Sequence, residues 1–341
     1  MISAFAMNLI HCGCRKFAQQ ETIDSSQRDR SRGGKMASNQ LLAGKVALVT
    51  GASQGGTGTA IAVRFAAEGA KVAITARSAG GLEETRARIV EHGGECLVLP
   101  ADLSRPDGGR ADLVPLAEEA FGPIDILVNN AAVNGYKPFE TVTARDLELS
   151  LQVNLWAPWE LMAAVIGGMR DRKSGSILNL TSFSAEFPPG PPFPTNKPST
   201  GGSVYGGAKA ALNRLTVAAA SETHGQGISV NALAPQAAIA TPALVKAGWI
   251  NETMFEPLET MAEAALALCA GDPAVLTGRI AFSLQLLAEL QRPVLDLLGV
   301  DPVEGWQPVD LPAIIERQEA GLADVGWPDA YLFGRVHSPR P

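Results

Sequence analysis

Cysteine is scarce in this chain, and so is excess positive charge. The four cysteines among 341 residues, Cys12, Cys14, Cys96 and Cys269, are spaced neither as a disulfide framework nor as paired zinc ligands. No metal is therefore expected, and the compartment is expected to be reducing and cytoplasmic. Lys and Arg number 28 against 35 Asp and Glu, a net charge of -7, so the chain carries no basic footprint for nucleic acid. No apolar run approaches the roughly 18 residues that a membrane-spanning helix needs. Nucleic acid and membrane are thus both excluded as partners.

What is present is a globular composition, 46% hydrophobic and 18% charged. Residues 1–43 stand apart, because 19–35 are polar and aperiodic. They read as a disordered leader, and Met36 is an alternative start. Cys12 and Cys14 lie in it without further ligands.

From residue 45 strand and helix patterns alternate, which implies an α/β fold: a Rossmann-type, doubly wound parallel sheet of about seven strands with helices on both faces. The apolar run 45–50 breaks into Gly51-Ala-Ser53-Gln54-Gly55-Gly56-Thr57-Gly58 and then into a helical pattern. Strand, glycine turn and helix in that order suit a dinucleotide, whose pyrophosphate would sit on the free N–H groups of the helix N-terminus. After the second strand, 71–75, comes Arg77 where a carboxylate would hold a free ribose 2′-hydroxyl. A guanidinium suits a 2′-phosphate, which favours NADP(H) over NAD(H).

Strand three, 95–99, runs into Asp102 and Leu103, where an acid could bond an adenine amino group. Strand four, 124–128, enters Asn129, Asn130, Ala131 and Ala132, small enough to let backbone approach a cofactor. The helix from Thr143 to about Met169 contains Pro158, which removes the bond to the carbonyl of Asn154 and predicts a kink or bulge there. Strand five, 176–182, ends on Ser182. The proline-dense stretch 187–202 reads as a rim or lid over the site mouth. Tyr205 and Lys209 follow, four apart at the start of a long helix and so on one face, where the ammonium would favour the phenolate. That spacing is common and by itself is met equally well by a packed aromatic and a solvated lysine.

Strand six, 228–233, leads to Pro235, Gln236, Ile239 and Thr241. Residues 243–260 read as a substrate loop, 276–282 as a last strand, and 285–341 as an extension, helical to about 298, packed on the same domain.

Together these residues resemble the classical short-chain dehydrogenase/reductase family across 44–284. Thr50-Gly51 with Gly55, Gly56 and Gly58 is similar to its TGxxxGxG turn, Asp102 to its adenine contact, and Asn129-Asn-Ala131 to its strand-four motif. Asn154, Ser182, Tyr205 and Lys209 stand where the family has its catalytic tetrad, and Pro235, Ile239 and Thr241 where it contacts nicotinamide. The resemblance implies interconversion of a ketone or aldehyde and an alcohol, possibly a 3-oxoacyl or other apolar carbonyl. In it Tyr205 is general acid, Ser182 polarises the oxygen, Lys209 tunes the tyrosine and holds the ribose, and Asn154 holds a water that relays protons. It also implies a homodimer or homotetramer. Departures are the extra residue in the glycine turn, Gln236 in place of glycine, the 23-residue separation of Ser182 from Tyr205, and the ending. A non-catalytic NADP(H)-binding sensor and an enoyl reductase are the rival readings.

Overall fold

A computed structural model describes residues 40–53, 55–135, 137–187, 202–247 and 255–307. Strands and helices alternate from the first of the described elements: β1 (Val46–Thr50), α1 (Thr57–Ala67), β2 (Lys71–Thr75), α2 (Ala79–Glu91), β3 (Cys96–Val98), α3 (Leu113–Phe121) and β4 (Ile126–Asn129). Then come α4 (Ala144–Leu151), α5 (Ala157–Arg172), β5 (Gly175–Leu180), α6 (Ser203–Glu222), β6 (Ile228–Ala234), β7 (Ala238–Ile239) and α7 (Pro242–Ala247). The series closes with β8 (Phe255–Glu256), α8 (Leu258–Ala270), β9 (Ile280–Phe282) and α9 (Ser283–Glu289).

Seven strands form one parallel sheet in the order β3-β2-β1-β4-β5-β6-β9, and β7 pairs with β8 in a small parallel sheet of its own. Helices cover both faces, which is why β1 is buried at every position and apolar up to Thr50 instead of alternating. Ala47 and Val49 face α1, α2 and α8, where Ile61, Phe65, Leu82 and Met261 pack. Val46 and Leu48 face α3 and α5, where Leu113, Leu161 and Val165 pack. The chain winds outward from β1 through β2 to β3, then returns to the other side of β1 as β4. The helices that follow β1 and β4 therefore leave on opposite faces, and a crevice opens at the carboxyl ends of those strands.

The structure redraws several boundaries. The leader expected over 1–43 ends earlier, since Leu42 is buried and its N–H donates to the Glu68 carbonyl at 2.9 Å. The last strand is only Ile280–Phe282, because the chain turns at Gly278 in the left-handed region (φ 73°). The helix expected to reach 298 stops at Glu289. Gln291 takes φ 49°, its N–H and that of Arg292 cap the carbonyls of Ala288 and Leu287, and Pro293 prevents resumption. Residues 243–260 are not one loop, for they include α7, β8 and the start of α8. Residues 188–201 and 248–254, most of the proline-dense stretch and the centre of the expected substrate loop, lie outside the described residues, as does Gln54.

Beyond α9, Leu297, Leu298, Val303 and Trp306 pack on the α1/α8 side of the core. A buried ion network joins the same elements. Arg64 of α1 meets Glu68 and Glu263 of α8, each at 2.6 Å, and Glu263 also meets Arg292 at 3.1 Å. Among the described residues no helix is long and apolar enough to cross a membrane, and no group of three or more His, Cys, Asp or Glu is placed to hold a metal ion.

Removing one member of a buried network leaves the others desolvated and unpaired. Glu263→Ala is expected to lower the unfolding free energy by about 3–5 kcal/mol, measured by urea denaturation; a loss below about 1 kcal/mol would show that the network contributes little.

Candidate active site

At the head of the crevice the ends of β1 and β4 are stitched together. Thr50 Oγ1 accepts the N–H groups of Asn130 and Ala131, both at 3.0 Å, and donates to the Val128 carbonyl at 3.3 Å. The Asn130 amide donates to the carbonyls of Thr50 and Gly51 at 2.9 and 3.1 Å. This closeness explains the outer glycines of the turn. A Cβ on Gly51 would stand 2.7 Å from Ala131 Cα, and one on Gly58 would collide with the Asn130 amide and the Gly51 carbonyl. Gly55 is required by its φ of 67°.

Gly56 is different, because its backbone is ordinary and the nearest atom to a Cβ there would be Thr241 Cγ2 at 3.8 Å. Among the described residues nothing crowds a Cβ at 56, so that side of the turn is open to a ligand. Gly56 is also the N-cap of α1, with no side chain capping the free N–H groups and no acid in the first turn. That end of an 11-residue helix fits an anion such as a pyrophosphate. Of the two glycines in the doubled position, Gly55 makes the turn and Gly56 opens the approach.

From there a cleft of about 500 Å³ runs along the carboxyl ends of β1, β2 and β3, lined by Gly51, Ser53, Arg77, Asp102, Leu103 and Asn130 to Ala132, among others. Arg77 is exposed at its rim. Beside it Ser78 caps α2 by accepting from Gly81 N–H at 3.1 Å. Asp102 Oδ1 accepts from Ser104 Oγ at 2.7 Å and Ser104 N–H at 3.0 Å. The Ser104 hydroxyl, with smaller help from its N–H and from Arg77 and Arg105, holds the Asp102 carboxyl below its usual range. The acid is therefore ionised and fixed through Oδ1.

Ser182, Tyr205 and Lys209 do not line that cleft; they stand at the ends of β5 and α6 nearby. Ser182 starts a 3-10 turn, Phe183–Ala185, and accepts from Ser184 N–H at 3.2 Å. Tyr205 lies in the first turn of α6 and is 9% exposed. Lys209 Nζ sits 5.9 Å from the centre of the Tyr205 ring and donates to the Leu180 carbonyl at 2.6 Å. Burial pushes the Lys209 ammonium down to about 7.

The expected bulge at Pro158 is a π turn, Gln152–Trp156, between α4 and α5. It buries Asn154 completely, and its side chain is occupied: Nδ2 donates to Val133 O at 2.8 Å and Ser150 Oγ at 3.0 Å, while Oδ1 accepts from Val133 N–H at 3.1 Å. The carboxamide thus fixes the backbone after Ala132, so any water held here falls to the main-chain carbonyl. A second buried chain crosses the sheet, from the Asn129 amide to Asn179 Oδ1 and from the Asn179 amide to Thr216 Oγ1, each at 2.9 Å, and locks β4, β5 and α6 in register.

Beyond β6, the segment from Pro235 to Thr241 turns back towards the glycine turn, with Pro242 Cγ 3.5 Å from where a Gly55 Cβ would be. Gln236 and Ile239 are buried. Three supporting residues are not legible in the sequence. Glu256 and Ser283 bond this segment, and Gly206 lets α6 touch the Ser182 turn, since a Cβ there would strike the Ser184 carbonyl. The Gly-Gly pair after Tyr205 was the only signal for the last.

A family model described as short chain dehydrogenase matches residues 45–248. The chain is 33% identical to 3beta-hydroxysteroid dehydrogenase 1 of Eggerthella lenta over 71% of its own length and 92% of that protein. It is 30% identical to acetoacetyl-CoA reductase of Allochromatium vinosum over 67% and 92%, and 32% identical to the ketoacyl reductase HetN of Nostoc over 57% of this chain and 63% of that one. Among solved structures, a metagenomic short-chain oxidoreductase in complex with NADP is similar at TM-score 0.59 and 30% identity, covering 71% of this chain and 97% of that one.

The two glycines after Tyr205 make a paired test. Gly207 faces open space, so Gly207→Ala is expected to stabilise α6 by about 0.5–1 kcal/mol, whereas Gly206→Ala is expected to destabilise by about 1–3 kcal/mol through backbone overpacking. Urea unfolding followed by circular dichroism reads both.

Proposed function

Because the chain belongs to the short-chain dehydrogenase family, and is an oxidoreductase like its named relatives, we propose that it interconverts a ketone or aldehyde and an alcohol with NADP(H). The observation that carries this is the buried Tyr205–Lys209 pair on one turn of α6, which packs on the Ser182 turn, together with a cleft along the ends of β1 to β3 that is lined by Gly51 and Ser53 of the glycine turn. The free N–H groups of α1 and the open side of Gly56 would hold the pyrophosphate. Asp102 would meet the adenine, Arg77 and Ser78 a 2′-phosphate, and the segment from Pro235 to Thr241 the nicotinamide. When bound, the dinucleotide supplies or takes the hydride.

The chain's own groups handle the proton. In the reductive direction the Tyr205 hydroxyl gives its proton to the substrate oxygen, and Ser182 Oγ donates a hydrogen bond to the same oxygen, stabilising the negative charge that develops there. Lys209, once protonated, places a positive charge beneath the Tyr205 ring and favours the phenolate left behind. Its other N–H groups remain available to a ribose, since Leu180 O occupies one. Asn154 fixes the floor by clamping Val133. Named relatives that reduce acetoacetyl-CoA and ketoacyl groups or oxidise a 3beta-hydroxysteroid support an apolar or 3-oxoacyl carbonyl as substrate.

Tyr205→Phe is expected to keep NADPH binding and lose about 10²–10⁴-fold in turnover, read as NADPH oxidation with ketones, aldehydes and 3-oxoacyl thioesters. A variant that turns over at the wild-type rate would sink the assignment. Arg77→Glu is expected to shift the ratio of kcat/KM for NADPH over NADH by at least about tenfold towards NADH. An unchanged ratio would remove Arg77 from the 2′-phosphate site.

A further inference from the structure

Glu256 is a buried carboxylate to which the reaction assigns no role. It is 3% exposed and sits at the end of β8, where its main-chain carbonyl accepts from Ala240 N–H at 3.3 Å and its residue pairs with Ile239 of β7. Its side chain reaches back under the preceding segment. Oε1 accepts from Ala237 N–H at 3.1 Å and lies 2.9 Å from Ser283 Oγ; Oε2 is 2.7 Å from that same hydroxyl and accepts from Thr260 Oγ1 at 2.8 Å. Ser283 Oγ also accepts from Gln236 N–H at 3.0 Å, so its single proton is free to go to the carboxylate.

We infer that Glu256 is a positioning residue for the nicotinamide end of the cofactor site: it holds the segment Pro235 to Thr241 by two successive N–H groups, Ala237 directly and Gln236 both directly and through Ser283. The inference rests on the cofactor reading proposed above. The hydrogen-bonding arithmetic favours it. Two adjacent buried amides that belong to no strand ladder need acceptors, and one carboxyl group with one hydroxyl satisfies both. An apolar side chain would fill the space at less cost, because burial pushes the Glu256 carboxyl up to about 7 against the pull of Ser283, Ala237, Thr260 and Gln236. What the apolar side chain lacks is an acceptor. At the far end of the held segment Thr241 and Pro242 approach the glycine turn, so its rest position sets how close they stand to Gly55 and Gly56.

A glutamine can do the same work. Its Oε1 can accept from Ala237 and Ser283, and its Nε2 can donate to Thr260 Oγ1, which then donates to the Pro257 carbonyl 2.7 Å away. Fluorescence titrations of the full chain would use two probes: NADPH, and 2′,5′-ADP, which has the phosphate end and no nicotinamide. Glu256→Ala is expected to weaken NADPH about tenfold or more, the loss that follows from an unsatisfied buried amide, and to leave 2′,5′-ADP within about twofold, since that fragment meets none of these residues. Glu256→Gln is expected to restore NADPH to within about threefold of wild type. Ser283→Ala, which removes the hydroxyl that bridges Gln236 to the carboxylate, serves if the alanine variant at 256 does not fold and is expected to weaken NADPH alone. Loss of both ligands alike in Glu256→Ala, no loss of NADPH, or a Gln variant as weak as the Ala variant would each overturn the anchor. A wild-type protein that binds neither probe would instead overturn the cofactor reading, and the anchor with it.

Discussion

Thr50 is the point on which the cleft depends. At the carboxyl ends of β1 and β4 the ladder stops, and the next backbone groups have no strand to pair with. One hydroxyl accepts two of them, Asn130 and Ala131, and the Asn130 amide returns the bond to the Thr50 and Gly51 carbonyls. Each such bond contributes only about 1 kcal/mol net, but leaving any of these groups buried and unpaired costs more. The two strand ends are therefore held at a fixed separation, so small that residues 51 and 58 have no room for a side chain. The glycine turn is a consequence of that separation as much as a device for binding phosphate.

The same economy recurs one layer down. Pro158 removes a helical bond, the helix takes up the slack as a π turn, and the extra residue rotates Asn154 inward to clamp Val133. Asn129, Asn179 and Thr216 run a polar chain through an otherwise apolar interior. Such a chain contributes little to stability unless complete, and when complete it fixes one register. Here it fixes β5 against α6, and with Gly206 it sets how closely the Ser182 turn approaches Tyr205 and Lys209.

The alternation of strand and helix, the parallel sheet and the place of the site were legible in the sequence because they follow from periodicity and from glycine between strand and helix. So was the disruption at Pro158, since a missing N–H has a defined address. Boundaries set by chain reversal were less legible: the end of α9 depends on Gln291 taking a left-handed conformation, which its side chain does not announce. Asn154 shows a different limit. Its position could be read, but its carboxamide bonds backbone 21 residues away, and only the folded chain brings that backbone within reach. Glu256 and Ser283 are invisible for the same reason, for a lone acid between Phe255 and Pro257 has no local pattern to mark it.

One helix carries the consequences of two of the buried acids, Glu256 and Glu263. Thr260 and Glu263 are three residues apart on α8, hence on one face. Thr260 bonds Glu256, which holds the segment after β6, and Glu263 bonds Arg64 in the last turn of α1 and Arg292 in the chain beyond α9. Ser283, the first residue of α9, bonds the same segment alongside Glu256. The stretch after β9 is thus tied through α8 to α1 and to the segment after β6, and Gly299, where a Cβ would stand 2.5 Å from the Arg64 guanidinium, shows how closely it is applied. Charged groups this deep are costly to desolvate and could be replaced by apolar ones with little loss of stability. What an apolar replacement could not do is fix the height of α8 against α1 and against β7 at once, and that height is what keeps the helix N-terminus and the segment after β6 facing each other across the cleft.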